Sequence, residues 1–573
     1  MSDRLAAIRA SVHPVVFPAS AGIILAIVVF TMVATEAAGS AFAATQGFIQ
    51  DTFGWFLIAT VAILLGVAIF LAISSYGRIK LGPDDSTPDY STGAWFAMLF
   101  SAGMGIGLVF WGVAEPIYMA GSPPRAEAGT PEAAQEAMNF AFHHWGFSPW
   151  AIYAIIGLGL AYFGFRKGLP MTIRSLFHPL LGDRINGPIG HAIDVLAVVA
   201  TMFGIATSLG LGATQVAAGL ERVFGWDGGD GGLLLIIGVI TAFATISVVS
   251  GLDKGIKRLS QVNIVAATTL AVIVLLVGPT VFLLFAFVEN TGNYIQGIFR
   301  TLAFTGTYAG EEAEAFLGDW TIFYWAWWIS WSPFVGMFIA RVSRGRTIRE
   351  FVLGVLLAPT IASFAWFTIF GNTALGLPAV IDEVTEAGED VAMFALIENL
   401  GLPGGVVTAL SLLVIFVVVV FFVTSSDSGS FVVDMLTSGG DLHPAVETRV
   451  FWAITEGLVA AALLLAGEEA LTGLQAGAVS AGFPFAIVLL LATWSLLRGL
   501  RQERGAAPTR RAPAPPLTVE DAVRRERAQR DLELRQQELA QRERELDLRE
   551  RELDLTEAKA STDGGGAGLR DRT

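Results

Sequence analysis

Four tryptophans crowd the middle of one apolar segment of the chain. Within residues 321–341, TIFYWAWWISWSPFVGMFIAR, these are Trp325, Trp327, Trp328 and Trp331. Helical spacings of three and four residues place them on one broad face, whereas spanning helices normally carry tryptophan at the membrane surfaces. Indole faces attract a quaternary ammonium ion, which has no hydrogen to donate. The cluster therefore predicts a site for a methylated ammonium compound, with aromatic packing between helices as the alternative.

A second aromatic group opens another apolar segment. Trp145, Trp150 and Tyr153 follow two histidines in HHWGFSPWAIY. Trp150 and Tyr153 are three residues apart, so they share a helix face. We expect them to form a wall opposite the four tryptophans. Trp145 is either part of that wall or an anchor at the membrane surface.

Three glycines alternate in a third apolar segment, where Gly103, Gly105 and Gly107 form SAGMGIG with the residues between them. Glycine weakens a helix and lets another group approach the backbone. Unwound backbone within a membrane is tolerated where it lines a cavity, and its amides can receive a carboxylate. Gly103 and Gly107 also fit the spacing for close helix crossing, which is the alternative.

Hydroxyl side chains interrupt a valine-rich segment at Thr424–Ser430, TSSDSGS. Uncharged oxygens of this density suit Na⁺ and, with Asp427 among them, favour a functional role over a structural one. Two other interpretations remain open. The hydroxyls can bond back to carbonyls of their own helix, and Asp427 can cap a helix end.

The composition places most of the chain in lipid. Of its 573 residues, 54% are hydrophobic and 15% charged, which predicts an all-α integral membrane protein. The absence of cysteine excludes disulfides and thiol catalysis, and no metalloprotease motif or pair of intramembrane carboxylates points to an enzyme. Twelve segments reach the length of about 20 residues that a membrane span needs. They lie near 14–35, 52–76, 93–115, 139–164, 189–222, 231–251, 262–288, 318–340, 349–371, 402–435, 448–466 and 477–497.

The charges predict the topology. Lysine and arginine gather in alternate loops, and acids such as Glu311 and Asp382 dominate the others. The positive-inside rule then puts both termini in the cytoplasm. Two amphipathic segments, near 290–316 and 376–400, are expected to lie on the outer surface.

The predicted organisation has five parts. They are a cytoplasmic N-terminus (1–13), the twelve-span domain (14–497), a basic, proline-rich linker (498–516), a charged helix (517–560) and a disordered end (561–573). The linker arginines suit anionic lipid headgroups, and the ordinary positive-inside bias explains them equally well. The charged helix is either a solvated single helix, or it associates with itself or docks on the cytoplasmic loops.

Long motifs in this chain resemble the betaine/choline/carnitine transporter (BCCT) family. They are SAGMGIGLVFWGVAEP at 101–116, Trp145–Tyr153, Trp325–Arg341 followed by GRTIRE at 345–350, and Phe421–Ser428. The resemblance covers residues 14–497. It implies a LeuT-like fold in which spans 3–7 and 8–12 form inverted repeats after two extra spans. It also implies a homotrimer.

The resemblance also implies functional residues. A substrate site would use aromatic side chains and the glycine-rich backbone, and a Na⁺ site would join the third span to the tenth. The substrate residues are Trp145, Trp150, Tyr153, Met104, Gly105, Ile106, Trp325, Trp327, Trp328, Trp331 and Phe334; the sodium residues are Ser101, Met104, Phe421, Thr424 and Ser425. A second family sodium site draws on the fifth span with Phe334 and Phe338, where Thr201 and Thr207 have an unsuitable spacing.

The function expected from the resemblance is uptake of glycine betaine or a related trimethylammonium zwitterion as an osmolyte, by alternating access and with Na⁺ as the coupling ion. Gly107 favours a zwitterion, since family members with Asp there are associated with choline and proton coupling. The alternatives are a sodium-independent carnitine/betaine exchanger, a choline transporter, and a sensor that signals through its tail. The expected location is the bacterial cytoplasmic membrane, and no nucleic-acid partner is expected.

Overall fold

The computed structural model describes residues 11–103, 105–250, 253–442, 444–467 and 470–505. Met1–Leu500 form one compact unit, and Arg501–Thr573 form a second, of which residues 501–505 are described. The described residues are helical, without strands apart from one isolated bridge between Lys80 and Thr347. The all-α prediction is confirmed for this part of the chain. The predicted charged helix, 517–560, and the segment 561–573 lie outside the described residues.

Nineteen α-helices follow one another in the described residues. They are α1 Val16–Val33, α2 Thr35–Ile73, α3 Thr92–Gly103, α4 Ile106–Gly121, α5 Pro131–Trp145, α6 Phe147–Ala161, α7 His178–Leu181, α8 Pro188–Phe224, α9 Gly229–Ser250, α10 Asp253–Val277, α11 Thr280–Leu302, α12 Glu311–Phe316, α13 Phe323–Val342, α14 Ile348–Leu375, α15 Pro378–Ala387, α16 Ala392–Glu398, α17 Gly404–Thr437, α18 Val446–Ala466 and α19 Ala470–Gly505.

Ten spans in the described residues are long and apolar enough to cross a membrane. They correspond to ten of the twelve predicted spans. The other two are the third, which is divided between α3 and α4, and the eighth, which contains α13 with its four tryptophans. The chain is a multi-pass membrane protein.

The seventh and twelfth predicted spans are among those whose boundaries differ from the structure. The span predicted at 262–288 is interrupted, because α10 ends at Val277 and α11 begins after Pro279. Proline has no amide hydrogen and disfavours helix in the residue before it, so a helix ends there readily. The helix that contains the last predicted span continues beyond residue 497, since α19 ends at Gly505. The first eight residues of the predicted linker are therefore helical, and residues 506–516 are outside the described part.

The centre of the protein is formed by α13, which packs along α6 and α8, while α17 packs along α8. Glycine lies at the crossing of α6 and α13. A Cβ built on Gly157 of α6 would lie 3.1 Å from the carbonyl oxygen of Gly336 in α13. Small residues let helix backbones approach in this way. The crossing holds the tryptophans of α13 beside the aromatic residues at the start of α6.

A short backbone pairing links the residues ahead of α3 to the start of α14. The amide of Leu81 donates to the carbonyl of Arg346 at 2.8 Å, and the amide of Gly345 donates back to Leu81 at 2.8 Å. The Arg346 guanidinium lies 4.1 Å from the ring centre of Trp95 in α3. Thr347 and Glu350 form a capping box that begins α14.

Candidate substrate and ion site

Stacked indoles form the centre of the site. The rings of Trp327 and Trp328 have centroids 4.4 Å apart and planes 15° from parallel. The Trp145 ring meets that of Trp328 edge-on, with 4.9 Å between centroids and 76° between planes. Tyr153 lies 6.4 Å from Trp328, and Trp150 lies 5.3 Å from Tyr153. Aromatic residues of α13 thus face those at the α5–α6 junction, as the two sequence segments predict.

These rings line a cavity that the broken third span completes. Its lining comes from α4, α5, α6, α8, α13, α14 and α17. The lining residues are Gly105, Ile106, Gly107, Leu108, Trp145, Pro149, Trp150, Tyr153, Ser208, Trp327, Trp328, Trp331, Ser363 and Ser425. Eight of the eleven predicted substrate residues are among them.

Trp325 and Phe334 lie elsewhere, although both were predicted for the substrate site. Trp325 is 1% exposed and packs edge-on against His143, with 5.0 Å between ring centroids. Its indole therefore serves the packing of α13 against α5. Phe334 lines a neighbouring cavity. Met104, the remaining predicted residue, lies outside the described residues.

Most of the indole nitrogens in the cavity wall are held by hydrogen bonds. Trp327 donates to the carbonyl of Gly204 at 3.2 Å, and Trp328 donates to the carbonyl of His144 at 3.0 Å. In contrast, the Nε1 of Trp331 and the hydroxyl of Tyr153 are buried without a partner among the described residues. A buried donor without a partner is costly. These two donors can therefore serve a polar ligand.

The glycine motif breaks the third span at the cavity. The α3 helix ends at Gly103, Gly105 is extended (φ −153°, ψ −175°), and α4 begins at Ile106. The first amides of a helix lack carbonyl partners within it and carry the positive end of the helix dipole. Gly105 and Ile106 line the cavity, so the start of α4 offers amides to an anion there.

A second cavity shares Trp331 and Ser425 with the first. Its other lining residues come from α10, α13 and α17, and they are Ser260, Asn263, Ile264, Phe334, Val335, Phe338, Phe421, Thr424 and Ser428. Three predicted sodium residues, Phe421, Thr424 and Ser425, are thus brought together. The side chain of Ser101 is outside the described part of the chain, as is Met104.

The hydroxyl-rich segment does not interrupt its helix. The α17 helix is continuous from Gly404 to Thr437. The Thr424 hydroxyl donates to the carbonyl of Val420 at 2.8 Å. This is a bond to its own helix, one of the alternatives considered for the hydroxyls from the sequence. Asp427 lies inside α17, ten residues before the helix ends at Thr437, so the alternative that it caps a helix end is wrong. The threonines considered for a second sodium site, Thr201 and Thr207, also donate to carbonyls of their own helix.

Sequence reasoning missed Glu115 of α4, which is fully buried beside the cavity wall. Its carboxylate accepts hydrogen bonds from the Trp145 indole at 2.7 Å and from the Tyr324 hydroxyl at 2.5 Å. A signal was present, because an acid within an apolar span usually has a function. Ser208 and Ser363 also line the cavity and had no distinguishing pattern.

A further cavity lies near α15 and contains an unusual acid. It is lined by aromatic residues of α4, Phe110 and Tyr118, and by Glu389 and Asp390 of the turn after α15. Burial, together with the charge of Glu389, raises the pKa of Asp390 to about 6. Asp390 therefore changes charge close to neutral pH.

Comparison with known proteins identifies the family. The profile of the betaine/carnitine/choline transporters matches residues 15–505. The chain belongs to the BCCT family. It is therefore a transporter and not an enzyme, and the resemblance found in the sequence is confirmed.

Several relatives of this BCCT transporter have named substrates. The glycine betaine transporter OpuD of Bacillus subtilis is 48% identical over 461 residues, which cover 80% of this chain and 89% of OpuD. Glycine betaine transporter 1 of Vibrio parahaemolyticus is 46% identical over 513 residues, covering 86% of this chain and 94% of the relative. A glycine betaine/proline/choline transporter of the same organism is 45% identical over 511 residues, covering 86% and 91%.

Proposed function

We propose that this protein imports glycine betaine or a closely related trimethylammonium zwitterion, driven by Na⁺. The observation that carries the proposal is a cavity in which indole faces lie beside unpartnered hydrogen-bond donors. The stacked Trp327 and Trp328, with Trp145 at their edge, provide π surface for an ammonium group. A desolvated cation–π contact contributes about 2 kcal/mol.

The other end of the ligand would meet donors. Gly105, Ile106, Trp331 and Tyr153 all line the cavity, and they would offer backbone amides, the indole N–H and the hydroxyl as donors, the last two being buried without a partner among the described residues. A carboxylate accepts from such groups, whereas choline has only a hydroxyl. Gly107 brings no charge into the cavity, so a ligand that carries both its own charges is favoured. The names of the relatives agree with betaine.

Sodium would occupy the cavity beside the substrate. Phe421, Thr424 and Ser425 line it, and Ser425 borders both cavities. With Ser101 and Met104, these residues would tie α17 to the third span and favour substrate binding. To ligate an ion, the Thr424 oxygen can keep its bond to Val420 and offer a lone pair.

Transport would follow alternating access between inverted repeats formed by spans 3–7 and 8–12 of twelve. The break between α3 and α4 and the packing of α13 on α6 and α8 support a site at the junction of two such halves. The protein would work as a homotrimer in the bacterial cytoplasmic membrane, with both termini inside and the linker arginines near anionic lipid. The C-terminal residues 517–560 would regulate uptake in response to osmolality.

The second candidate is sodium-independent exchange of carnitine or betaine, or choline transport. One relative is named for glycine betaine, proline and choline together, which supports this second candidate.

The deciding experiment measures uptake of labelled glycine betaine into proteoliposomes with and without an inward Na⁺ gradient. We expect concentrative uptake that requires sodium. Sodium-independent counterflow would replace symport by exchange, and uptake of choline with none of betaine would overturn the substrate.

A further inference from the structure

Glu115 is the centre of a hydrogen-bond network that joins three helices. Its Oε2 accepts from the Trp145 indole and the Tyr324 hydroxyl, and its Oε1 lies 2.9 Å from Nδ1 of His144. The other ring nitrogen of His144 lies 2.9 Å from the Thr321 hydroxyl. Glu115 is on α4, and its partners are on α5 and α13, while Thr321, the partner of His144, lies just before α13. All of these side chains are buried.

The geometry accommodates the ionised carboxylate, and equally the protonated acid, in which Oε1 would donate to Nδ1 of His144. Two donors converge on one oxygen, and the 2.5 Å separation from the Tyr324 oxygen is in the range of hydrogen bonds from hydroxyl groups to charged oxygens. With Nδ1 of His144 donating to Oε1, Thr321 can donate to Nε2. The ion pairs of the described residues include none between Glu115 and a lysine or arginine. In its ionised form Glu115 places a negative charge directly behind the cavity wall, with no lysine or arginine partner among the described residues.

Trp145 connects this charge to the ligand cavity. Its N–H donates to Glu115, while its ring lines the cavity and meets Trp328 edge-on. A donor bonded to an anion is polarised, since hydrogen bonds in a low-dielectric interior strengthen the charge separation of the groups that make them. The indole ring gains electron density, and its attraction for a cation rises with that density.

We propose that Glu115, in its ionised form, makes the cavity select a cationic head group over an uncharged one of the same shape, acting through Trp145. This rests on the proposed function, because it takes a trimethylammonium compound as the ligand. Glu115 lines no part of the cavity itself and is a specificity-determining, positioning residue. A purely structural role would give a different result, since the network would then hold Trp145 in place for cationic and uncharged head groups alike.

Glu115→Gln distinguishes the effect of the Glu115 charge from the effect of its hydrogen bonds. The amide oxygen of glutamine can still accept from Trp145 and Tyr324. Its NH₂ group can donate to Nδ1 of His144, whose other tautomer donates to Thr321. The network keeps its hydrogen bonds and loses its charge. Glu115→Ala removes both the charge and the hydrogen bonds, so it shows the effect of losing the whole network.

The test compares two ligands of one shape on the purified full-length protein. Glycine betaine is set against 3,3-dimethylbutanoate, in which carbon replaces the ammonium nitrogen. We expect Glu115→Gln to weaken betaine binding about tenfold and to weaken binding of 3,3-dimethylbutanoate, whose head group is uncharged, less than twofold. Glu456→Gln, which alters another fully buried carboxylate, bonded to Ser426, should leave the ratio of the two affinities unchanged. An equal loss for both ligands, or no loss for betaine, overturns the proposal.

A double-mutant cycle with betaine alone gives an independent test. Trp145→Phe keeps a ring but lacks the indole N–H, so Glu115→Gln should have less than a threefold effect in that background. An undiminished tenfold effect would show that Glu115 does not act through Trp145. Wild-type protein that binds no betaine would overturn the proposed function itself, whereas binding by wild type with an unaltered affinity ratio in Glu115→Gln overturns only this role.

Discussion

The edge of the Trp145 indole closes over Gly107. A Cβ built on Gly107 would lie 2.8 Å from Cη2 of Trp145 and 3.0 Å from Cη2 of Trp327. Carbon atoms do not approach so closely, and two rings held by hydrogen bonds cannot both move aside without cost. The absence of a side chain at this position thus sets the spacing of two walls of the cavity.

Gly107→Ala should weaken apparent betaine affinity about tenfold, because overpacking costs about 1–3 kcal/mol. Gly107→Asp should bind betaine more weakly still. Uptake at varied betaine concentration gives the apparent affinity. Gly93→Ala in α3 is the matched control, since its added Cβ meets nothing within 4 Å. Unchanged affinity in Gly107→Ala would mean that the indoles are not fixed.

Trp328→Leu should reduce apparent affinity for betaine about tenfold or more, because it removes an indole stacked at the centre of the cavity. A lost cation–π contact of about 2 kcal/mol accounts for this. The exposed Trp494, 55% accessible on α19, provides the control Trp494→Leu, which should transport normally. Transport by Trp328→Leu with the affinity of wild type would contradict the aromatic site.

Thr424→Ala should raise the sodium concentration needed for half-maximal uptake at least fivefold, because an oxygen ligand is lost from the proposed ion site. Thr408→Ala in the same helix is a close control. Both hydroxyls donate to the carbonyl four residues earlier, but Thr408 is exposed. An equal sodium dependence in the two variants would show that Thr424 only bonds to its own helix.

The pH dependence of stability should contain a contribution from Asp390. Its pKa is about 6 in the folded protein against an ordinary 3.8. The folded state holds the proton more tightly, so this contribution is complete below pH 4 and is lost as pH rises through 6. A difference of roughly two pH units corresponds to at most about 3 kcal/mol.

Asp390→Asn should therefore melt at a higher temperature than wild type at pH 7.5 and show a smaller change between pH 5 and pH 7.5. Thermal unfolding of the detergent-solubilised protein measures this. The exposed Asp382→Asn on α15 is the control and should follow wild type. A wild-type pH profile in Asp390→Asn would exclude Asp390 as the source.

Sequence reasoning reached the parts of the site that depend on local chemistry. Clustered indoles and alternating glycines indicate a binding site because few other roles require them. They predicted Trp327, Trp328 and Gly105 as residues of the site. The sequence alone could not show that Trp325, unlike the neighbouring tryptophans, does not line the cavity. Helical spacing gives a face, but which side of that face meets α5 and which meets the cavity depends on how the helices pack.

The network around Glu115 was beyond reach for the same reason. Glu115, His144 and Tyr324 are far apart in the chain, and no periodicity connects them.

The break between α10 and α11 shows a different limit of prediction from sequence. Apolar residues continue across Gly278 and Pro279, so hydropathy predicted one span where the backbone has to break.

The anchored indoles also have a thermodynamic consequence. Trp145, Trp327 and Trp328 each have a hydrogen-bonded ring nitrogen, so their rotamer freedom is lost when the protein folds and not when the ligand arrives. Ordering of side chains is a main cost of binding, commonly about 0.5–1.5 kcal/mol for each. A ligand that fits between these fixed indoles therefore binds without that entropy loss. A bulkier onium head group would require the indole side chains to change rotamer, which their hydrogen bonds oppose.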